Sequence, residues 1–335
     1  MAALLMGTLS WVANGFEPTV SERSRAAMSG TVAASPAAEF MDWPLPATPA
    51  EAVAPIQLAA VPADPDTKGV EPMCRRIGNK LGSVGTNECL AMHLMVSRGR
   101  SVNGDPILVR EYAPRPERTP LGRVLLIGGM HGDEYSSVSI LFKWMGILNE
   151  HHSGLFHWIA IPLLNPDGLL REHSQRQNQH GVDLNRNFPT PRWHERSHRY
   201  WIEDTGRSPR RYPGPDPLSE PESRWLAEVI QRFRPDAIVS VHAPYGVLDF
   251  DGPPKAPERL GHLYLNLLGT YPGSLGNYAG VRKRIPVVTI ELPHAGIMPS
   301  DEHINEIWVD LVKWLRSKLE PPTLQVKTED QAEPS

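Results

Sequence analysis

The chain has 335 residues, 40% of them hydrophobic and 21% charged, which fits one large folded domain or two ordinary ones. A formal net charge of -4 provides no basic field for nucleic acid. No run reaches the roughly eighteen consecutive apolar residues that a membrane span needs.

Residues 1–15 contain the apolar run Ala2-Ala3-Leu4-Leu5-Met6 with no Lys or Arg before it. They read either as the remnant of a secretory signal or as a nondescript end, because a signal needs a basic leader and a longer apolar core. Residues 20–69 are rich in Ala, Pro and Ser, a composition that makes extended linker rather than core. Residues 1–72 are therefore expected to be disordered. Cys74 and Cys89 are the two cysteines, and neither has a Cys or His neighbour at the spacing of a structural zinc site. They form a disulfide if the protein is exported and stay as thiols if it is cytosolic.

Folded sequence is expected over 73–320. Residues 89–96 and 106–112 have the character of strands, the second following the turn Asn103-Gly104-Asp105. Residues 123–127 form a short branched apolar run that reads as a buried strand. Gly128 and Gly129 break it, and His131 and Glu134 stand three residues apart before a helix over 136–148 with Val138, Leu141, Phe142 and Met145 on one face. Residues 158–164 form another buried strand, ending at Asn165-Pro166-Asp167-Gly168. A long polar loop over 171–217 follows, then a helix over 220–233 that Ser219 and Glu222 are placed to cap. Strands over 236–241 and 287–290 come next, then a helix capped by Ser300, with Ile304, Ile307, Trp308, Leu311, Leu315 and Leu319 on one face. Residues 321–335 read as a disordered tail.

Alternating strands and helices predict an α/β domain: a mixed, mostly parallel sheet with helices on both faces. Ligands in such sheets bind beyond the carboxyl ends of the strands. His131 and Glu134 follow one strand end, Asn165 another, His242 a third and Glu291 a fourth. Taken singly, an HxxE pair can be a polar turn, and a histidine at a strand mouth can be structural. Glu291 is less ordinary, since it puts a charge at the end of the apolar run Val287-Val288-Thr289-Ile290 and must be paired or face a polar cavity. Two histidines and a glutamate form a three-ligand metal set with an open position, and a second carboxylate beside it suits a base.

His131-Gly132-Asp133-Glu134, Asn165-Pro166-Asp167-Gly168, Arg176, Gly181-Val182-Asp183-Leu184-Asn185-Arg186-Asn187-Phe188, Ser240-Val241-His242 and Thr289-Ile290-Glu291-Leu292 occur in that order. In this the chain resembles the zinc carboxypeptidases of the carboxypeptidase A type. The His2Glu set is the one known of carboxypeptidase A, so the resemblance carries it rather than the spacing. It implies one zinc ion per chain held by His131, Glu134 and His242. It implies Glu291 as the general base, taking a proton from the attacking water and passing it to the leaving amine. Arg176 matches the arginine that stabilises the oxyanion, and Asn185 with Arg186 the pair that grips the substrate's terminal carboxylate. The family's mobile tyrosine is assigned to Tyr271 in preference to Tyr278.

Within that family the HGDE, SEPE, GSLGNYAG and TIELP strings resemble bacterial murein peptide amidases most. The resemblance implies hydrolysis of the bond between γ-D-glutamate and meso-diaminopimelate in a murein tripeptide or muropeptide. It also implies a periplasmic or otherwise exported protein, with the cytoplasm as the alternative. Asn277, Arg282, Lys283 and Arg284 are the candidates for the polar ends of diaminopimelate. Three other readings stand: a general metallocarboxypeptidase, an N-acyl amino acid deacylase, and a non-catalytic peptidoglycan-binding module. The last has no use for Glu291.

Overall fold

The computed structural model describes residues 67–319, and the segments expected to be disordered, up to residue 66 and from 320 onward, lie outside the described residues. Ordered chain starts before residue 73, because Val70 is buried in the first turn of helix α1 (Val70–Lys80). Helix α2 (Thr86–Ala91) follows, joined to α1 by a disulfide between Cys74 and Cys89. The strand expected over 89–96 is thus corrected: strand β1 (Met95–Arg100) begins only at Met95. The physical reason is local. The Glu88 carboxylate turns back to accept the Gly85 N–H at 3.3 Å, which closes the first turn of a helix, and the disulfide holds Cys89 against α1.

The remaining elements are β2 (Pro106–Tyr112), β3 (Arg123–Ile127), α3 (Tyr135–His151), β4 (His157–Ile161), α4 (Pro166–Leu170), α5 (Trp193–Arg199), α6 (Pro221–Phe233), β5 (Ala237–His242), β6 (Val247–Asp251), β7 (Arg259–Leu260), β8 (Leu263–Tyr264), β9 (Val287–Glu291) and α7 (Asp301–Leu319). Seven strands form one sheet in the order β1-β2-β4-β3-β5-β9-β6. The central run β4-β3-β5-β9 is parallel, and β1, β2 and β6 join antiparallel at the two edges. Strand β6 was not anticipated, although Leu248 and Phe250 alternate with Asp249 and Asp251 at the strand period. β4 is shorter than the 158–164 expected, since Pro162 has no N–H to continue a ladder.

Both faces of the sheet are covered. Val124 and Leu126 of β3 share one apolar cluster with α1, α3 and α7, while Leu125 and Ile127 share another with α6. On α7, Ile304, Ile307, Leu311 and Leu315 are fully buried or nearly so, and Trp308 packs between Trp144 and Trp158 at ring separations of 5.5 and 5.3 Å. Each such side chain contributes about 1.5–3 kcal/mol through burial, so the helices are fixed by packing rather than by propensity. Ser300 caps α7 by accepting the His303 N–H at 3.3 Å.

A polar knot positions the long loop that precedes α6. Asn178 donates to Glu220 at 2.7 Å and to Glu222 at 3.1 Å, and Asn187 accepts from Ser223 Oγ at 2.5 Å. The expected Ser219–Glu222 cap is corrected: Glu220 is the N-cap and Pro221 takes the first turn, which frees Glu222 to accept from Asn178 and from the Val102 N–H. Burial pushes the Glu222 carboxyl up to about 7.

Two predictions follow from this scaffold. Because Glu222 binds its proton more tightly in the folded than the unfolded chain, its contribution to stability is complete below about pH 4.5 and lost as pH rises through 7, a swing of up to about 3 kcal/mol. Denaturant titrations at pH 5 and pH 8 should therefore show a shallower loss for Glu222→Gln than for the wild type; parallel losses would mean the carboxyl titrates normally. Replacing Cys74 and Cys89 by alanine should cost about 3 kcal/mol, the expected cost of opening a loop of about 15 residues. An unchanged denaturation midpoint in the double variant would exclude a stabilising bridge.

Candidate metal centre

β3, β5 and β9 are adjacent parallel strands, and the side chains of interest lie at or just past their carboxyl ends. His242 is the last residue of β5, and Glu291, the last of β9, is its register partner. His131 and Glu134 lie on the turn from β3 to α3. That turn is tight enough that a Cβ on Gly132 would stand 2.1 Å from the Gly168 backbone, so no larger residue fits there. Asn165 stitches the floor by accepting from Gly168 and donating to the carbonyls of Met130 and Arg176. Ser136, at the start of α3, bonds the backbone of His294 and Ala295, which fixes this turn against the end of β9.

His131, Glu134 and His242 converge, all buried. His131 Nδ1 lies 2.8 Å from Glu134 Oε1, His242 Nδ1 lies 3.0 Å from Glu134 Oε2, and the two Nδ1 atoms are 3.1 Å apart. Donors bound tetrahedrally to zinc at their usual bond lengths stand about 3.3 Å from one another, so this set fits a zinc ion after small adjustments. The far sides of the rings support that use. Asp183 Oδ1 faces His131 Nε2 at 3.1 Å and Ser240 Oγ faces His242 Nε2 at 2.9 Å. A proton on each Nε2 leaves both Nδ1 lone pairs directed at the common centre.

Burial by itself would raise the Glu134 carboxyl, but the two imidazoles outweigh it and hold the group well below the usual carboxylate range. Burial likewise opposes Asp183, and Arg176 with His131 keeps it ionised. Arg176 donates through Nε to Asp183 at 2.9 Å and through Nη1 to Glu134 at 3.3 Å, a buried cation locked at the edge of the centre. Glu291 differs. It is 7% exposed, its Oε2 has no hydrogen-bond partner, and burial pushes its pKa up to about 7. A buried carboxyl poised near neutrality with one oxygen free of any partner suits proton transfer.

Arg186 and Asn185 sit on the loop beside this centre. Arg186 is buried, its Nε has no partner, and its guanidinium lies 4.6 Å from the Tyr271 ring centroid and 5.8 Å from that of Tyr200. Tyr271 is thus brought against Arg186, with its hydroxyl donating to the Leu268 carbonyl at 2.9 Å, while Tyr278 stacks on Phe188 instead. Asn185 Oδ1 accepts the Leu275 N–H at 2.8 Å. Arg282, Lys283 and Arg284 are exposed, and Asn277 bonds the Tyr271 carbonyl.

Three residues were missed in the sequence. Asp183 and Ser240 orient the histidines; each is a polar residue inside an apolar stretch, Val182-Asp183-Leu184 and Val239-Ser240-Val241, and that interruption was the available signal. Asp251 is the third. It packs against Gly276, where an added Cβ would stand 1.8 Å from Asp251 Oδ2, and Gly276 follows the residue that Asn185 holds. Asp251 is thus linked to Asn185 through the Leu275–Gly276 backbone; its Oδ1 accepts from Thr270, and burial raises its carboxyl above the usual range.

Comparison with known proteins follows the same lines. A family model described as zinc carboxypeptidase matches residues 91–250, a span that contains the three donors and stops short of Glu291. The chain is 30% identical over 227 residues to murein peptide amidase A of Escherichia coli (strain K12), covering 64% of this chain and 88% of that protein. It is 32% identical over 204 residues to murein peptide amidase A of Vibrio campbellii, covering 59% and 78%. The crystal structure of thrombin activatable fibrinolysis inhibitor aligns with a TM-score of 0.52 at 18% identity, covering 75% of this chain and 72% of that one, a likeness of fold.

Zinc content tests the donor set. His242→Ala should lose the zinc that the wild type retains at this centre against a chelator, whereas Asp183→Asn should keep the ligands and weaken zinc binding roughly 10–100-fold, read by competition with a chromophoric chelator. An Asp183→Asn protein that binds zinc as tightly as the wild type would remove Asp183 from the support of His131.

Proposed function

The chain belongs to the zinc carboxypeptidase family, and on that premise we propose that it hydrolyses a terminal amide bond of cell-wall peptides, the bond between γ-D-glutamate and meso-diaminopimelate. The observation that carries the reaction is Glu291, a buried carboxyl whose Oε2 has no hydrogen-bond partner, in register with a metal-donor histidine. Zinc in this site would supply a Lewis acid that polarises the scissile carbonyl and acidifies a water molecule.

The protein's own groups do the rest. Glu291 takes the proton of the attacking water and returns it to the nitrogen of the leaving amine, a role its near-neutral pKa permits in both directions. Arg176, locked by Asp183 and Glu134, presents a fixed cation where negative charge develops on the carbonyl oxygen. Arg186 is a buried cation with an unused Nε donor, held in orientation by Tyr271 and Tyr200, and with the Asn185 amide it receives the terminal carboxylate. Tyr271 acts here as a positioning residue for Arg186.

The choice of substrate rests on the relatives named murein peptide amidase A and on Asp251, a half-buried carboxyl linked to Asn185 through Leu275 and Gly276. Diaminopimelate carries a distal amine, and Asp251 is the carboxyl we assign as its counter-charge. The same feature favours a second reading, a carboxypeptidase that removes C-terminal lysine or arginine. A binding module without catalysis has no need of a buried carboxyl with a free oxygen beside a metal centre. The Cys74–Cys89 disulfide supports an oxidising compartment, and we assign the protein to the periplasm or another exported location.

The assay is release of diaminopimelate from L-Ala-γ-D-Glu-meso-diaminopimelate. Glu291→Gln should lower kcat by roughly 10²–10⁴-fold with zinc content unchanged, while Arg186→Ala should act chiefly on KM. Wild-type turnover by Glu291→Gln would refute the mechanism. Removal of C-terminal lysine or arginine with the tripeptide left intact would keep the mechanism and replace the substrate.

A further inference from the structure

A second cluster of metal-ligating side chains lies outside the centre described above. His262, His303 and Glu306 each offer a donor atom, and the three atoms lie within 4.8 Å of one another. His303 and Glu306 are three residues apart on the first turns of α7, so they share a face of the helix and both are exposed. His262 comes from the two-residue turn Gly261-His262 that joins β7 to β8, and its ring lies 4.1 Å from that of His303 at an interplanar angle of 35°.

That turn is built against α7 rather than resting on it. Leu260 and Leu263, on either side, are buried. The Gly261 N–H donates to Asp310 Oδ2 at 3.0 Å, and its carbonyl accepts from Arg259 at 3.1 Å. Gly261 has φ of +55°, and a Cβ there would stand 3.1 Å from the Ile307 nitrogen and 3.2 Å from Glu306 Cβ. Only glycine allows so close an approach in that conformation, and the approach is what delivers His262 to the helix. His262 Nδ1 is buried and has no hydrogen-bond partner. A donor set fixed by two anchored elements loses little entropy on binding an ion.

We propose that His262, His303 and Glu306 form a second metal site, for a divalent ion of the zinc class, which clips the β7–β8 turn to the start of α7. Two imidazoles and one carboxylate match zinc, nickel or cobalt, whereas magnesium and calcium take oxygen donors. The exposed side of the cluster leaves the remaining coordination positions to water. None of the residues assigned to the reaction lies on these elements, so the site is structural and independent of the substrate reading.

The test uses the full-length protein with its active centre already filled with zinc, titrated with zinc alone by calorimetry. The wild type should take up one further equivalent with micromolar affinity, and its Tm should rise with that occupancy. His303→Ala and Glu306→Gln are exposed helix substitutions that leave the fold and the peptidase activity in place. Each should weaken the second equivalent at least about tenfold and abolish the rise in Tm. No second equivalent at submillimolar zinc in the wild type would overturn the proposal. So would binding in both variants equal to that of the wild type.

Discussion

A carboxylate as deeply buried as Glu134 has to be compensated, and much of the surrounding structure serves that requirement. Its two oxygens face His131 and His242 at 2.8 and 3.0 Å, Arg176 approaches at 3.3 Å, and the Ala243 N–H donates at 3.3 Å. These partners come from three separate stretches of chain. Removing one would leave a buried charge short of its solvation, which costs far more than a surface ion pair is worth. The same convergence creates the donor set for a metal, so the electrostatic need of the fold and the chemistry of the site coincide.

The sheet makes that convergence possible. β3 sits between β4 and β5, and the chain leaves it for α3 and later returns on its other side, so a crevice opens beyond its carboxyl end. Parallel pairing then places the last residues of β5 and β9 side by side, which is why His242 and Glu291 are neighbours although 49 positions separate them (291 − 242). The antiparallel edge strand β6 starts beside Glu291 and runs back along β9, so that Asp249 and Asp251 lie opposite Thr289 and Val287.

Glu134 and Glu291 share one crevice and have opposite fates. Two imidazoles keep the first ionised, while burial without a hydrogen-bond partner for Oε2 pushes the second up to about 7. Two like groups driven apart by their surroundings are suited to different roles, an ionised carboxylate to a metal ligand and a near-neutral one to a base. The arginines divide in a similar way: Arg176 is held by two carboxylates through Nε and Nη1 and stays fixed, while Arg186 is stacked on Tyr271 with its Nε donor to spare.

Short-range signals were legible in the sequence. The apolar run of β3 broken by two glycines, the HxxE turn, the charge ending β9 and the face of α7 each depend on residues within a few positions of one another, and local sterics and burial decide them. The motif order added His242, Arg176, Asn185 and Arg186 as a set. What remained hidden depends on contacts across the chain. Asp183 meets His131 over 52 positions, and Asp251 acquires its meaning from Gly276, on a segment 25 positions away. The run at 89–96 has apolar character that suits a strand, but the Gly85–Glu88 cap and the bridge to Cys74 make its first part a helix. β6 hides because two of its five residues are acidic, and only pairing with β9 reveals why. Periodicity reports which side of an element is buried; which distant group it is buried against is settled by the packing of the sheet, where the cost of an uncompensated charge or an unpaired donor is finally met.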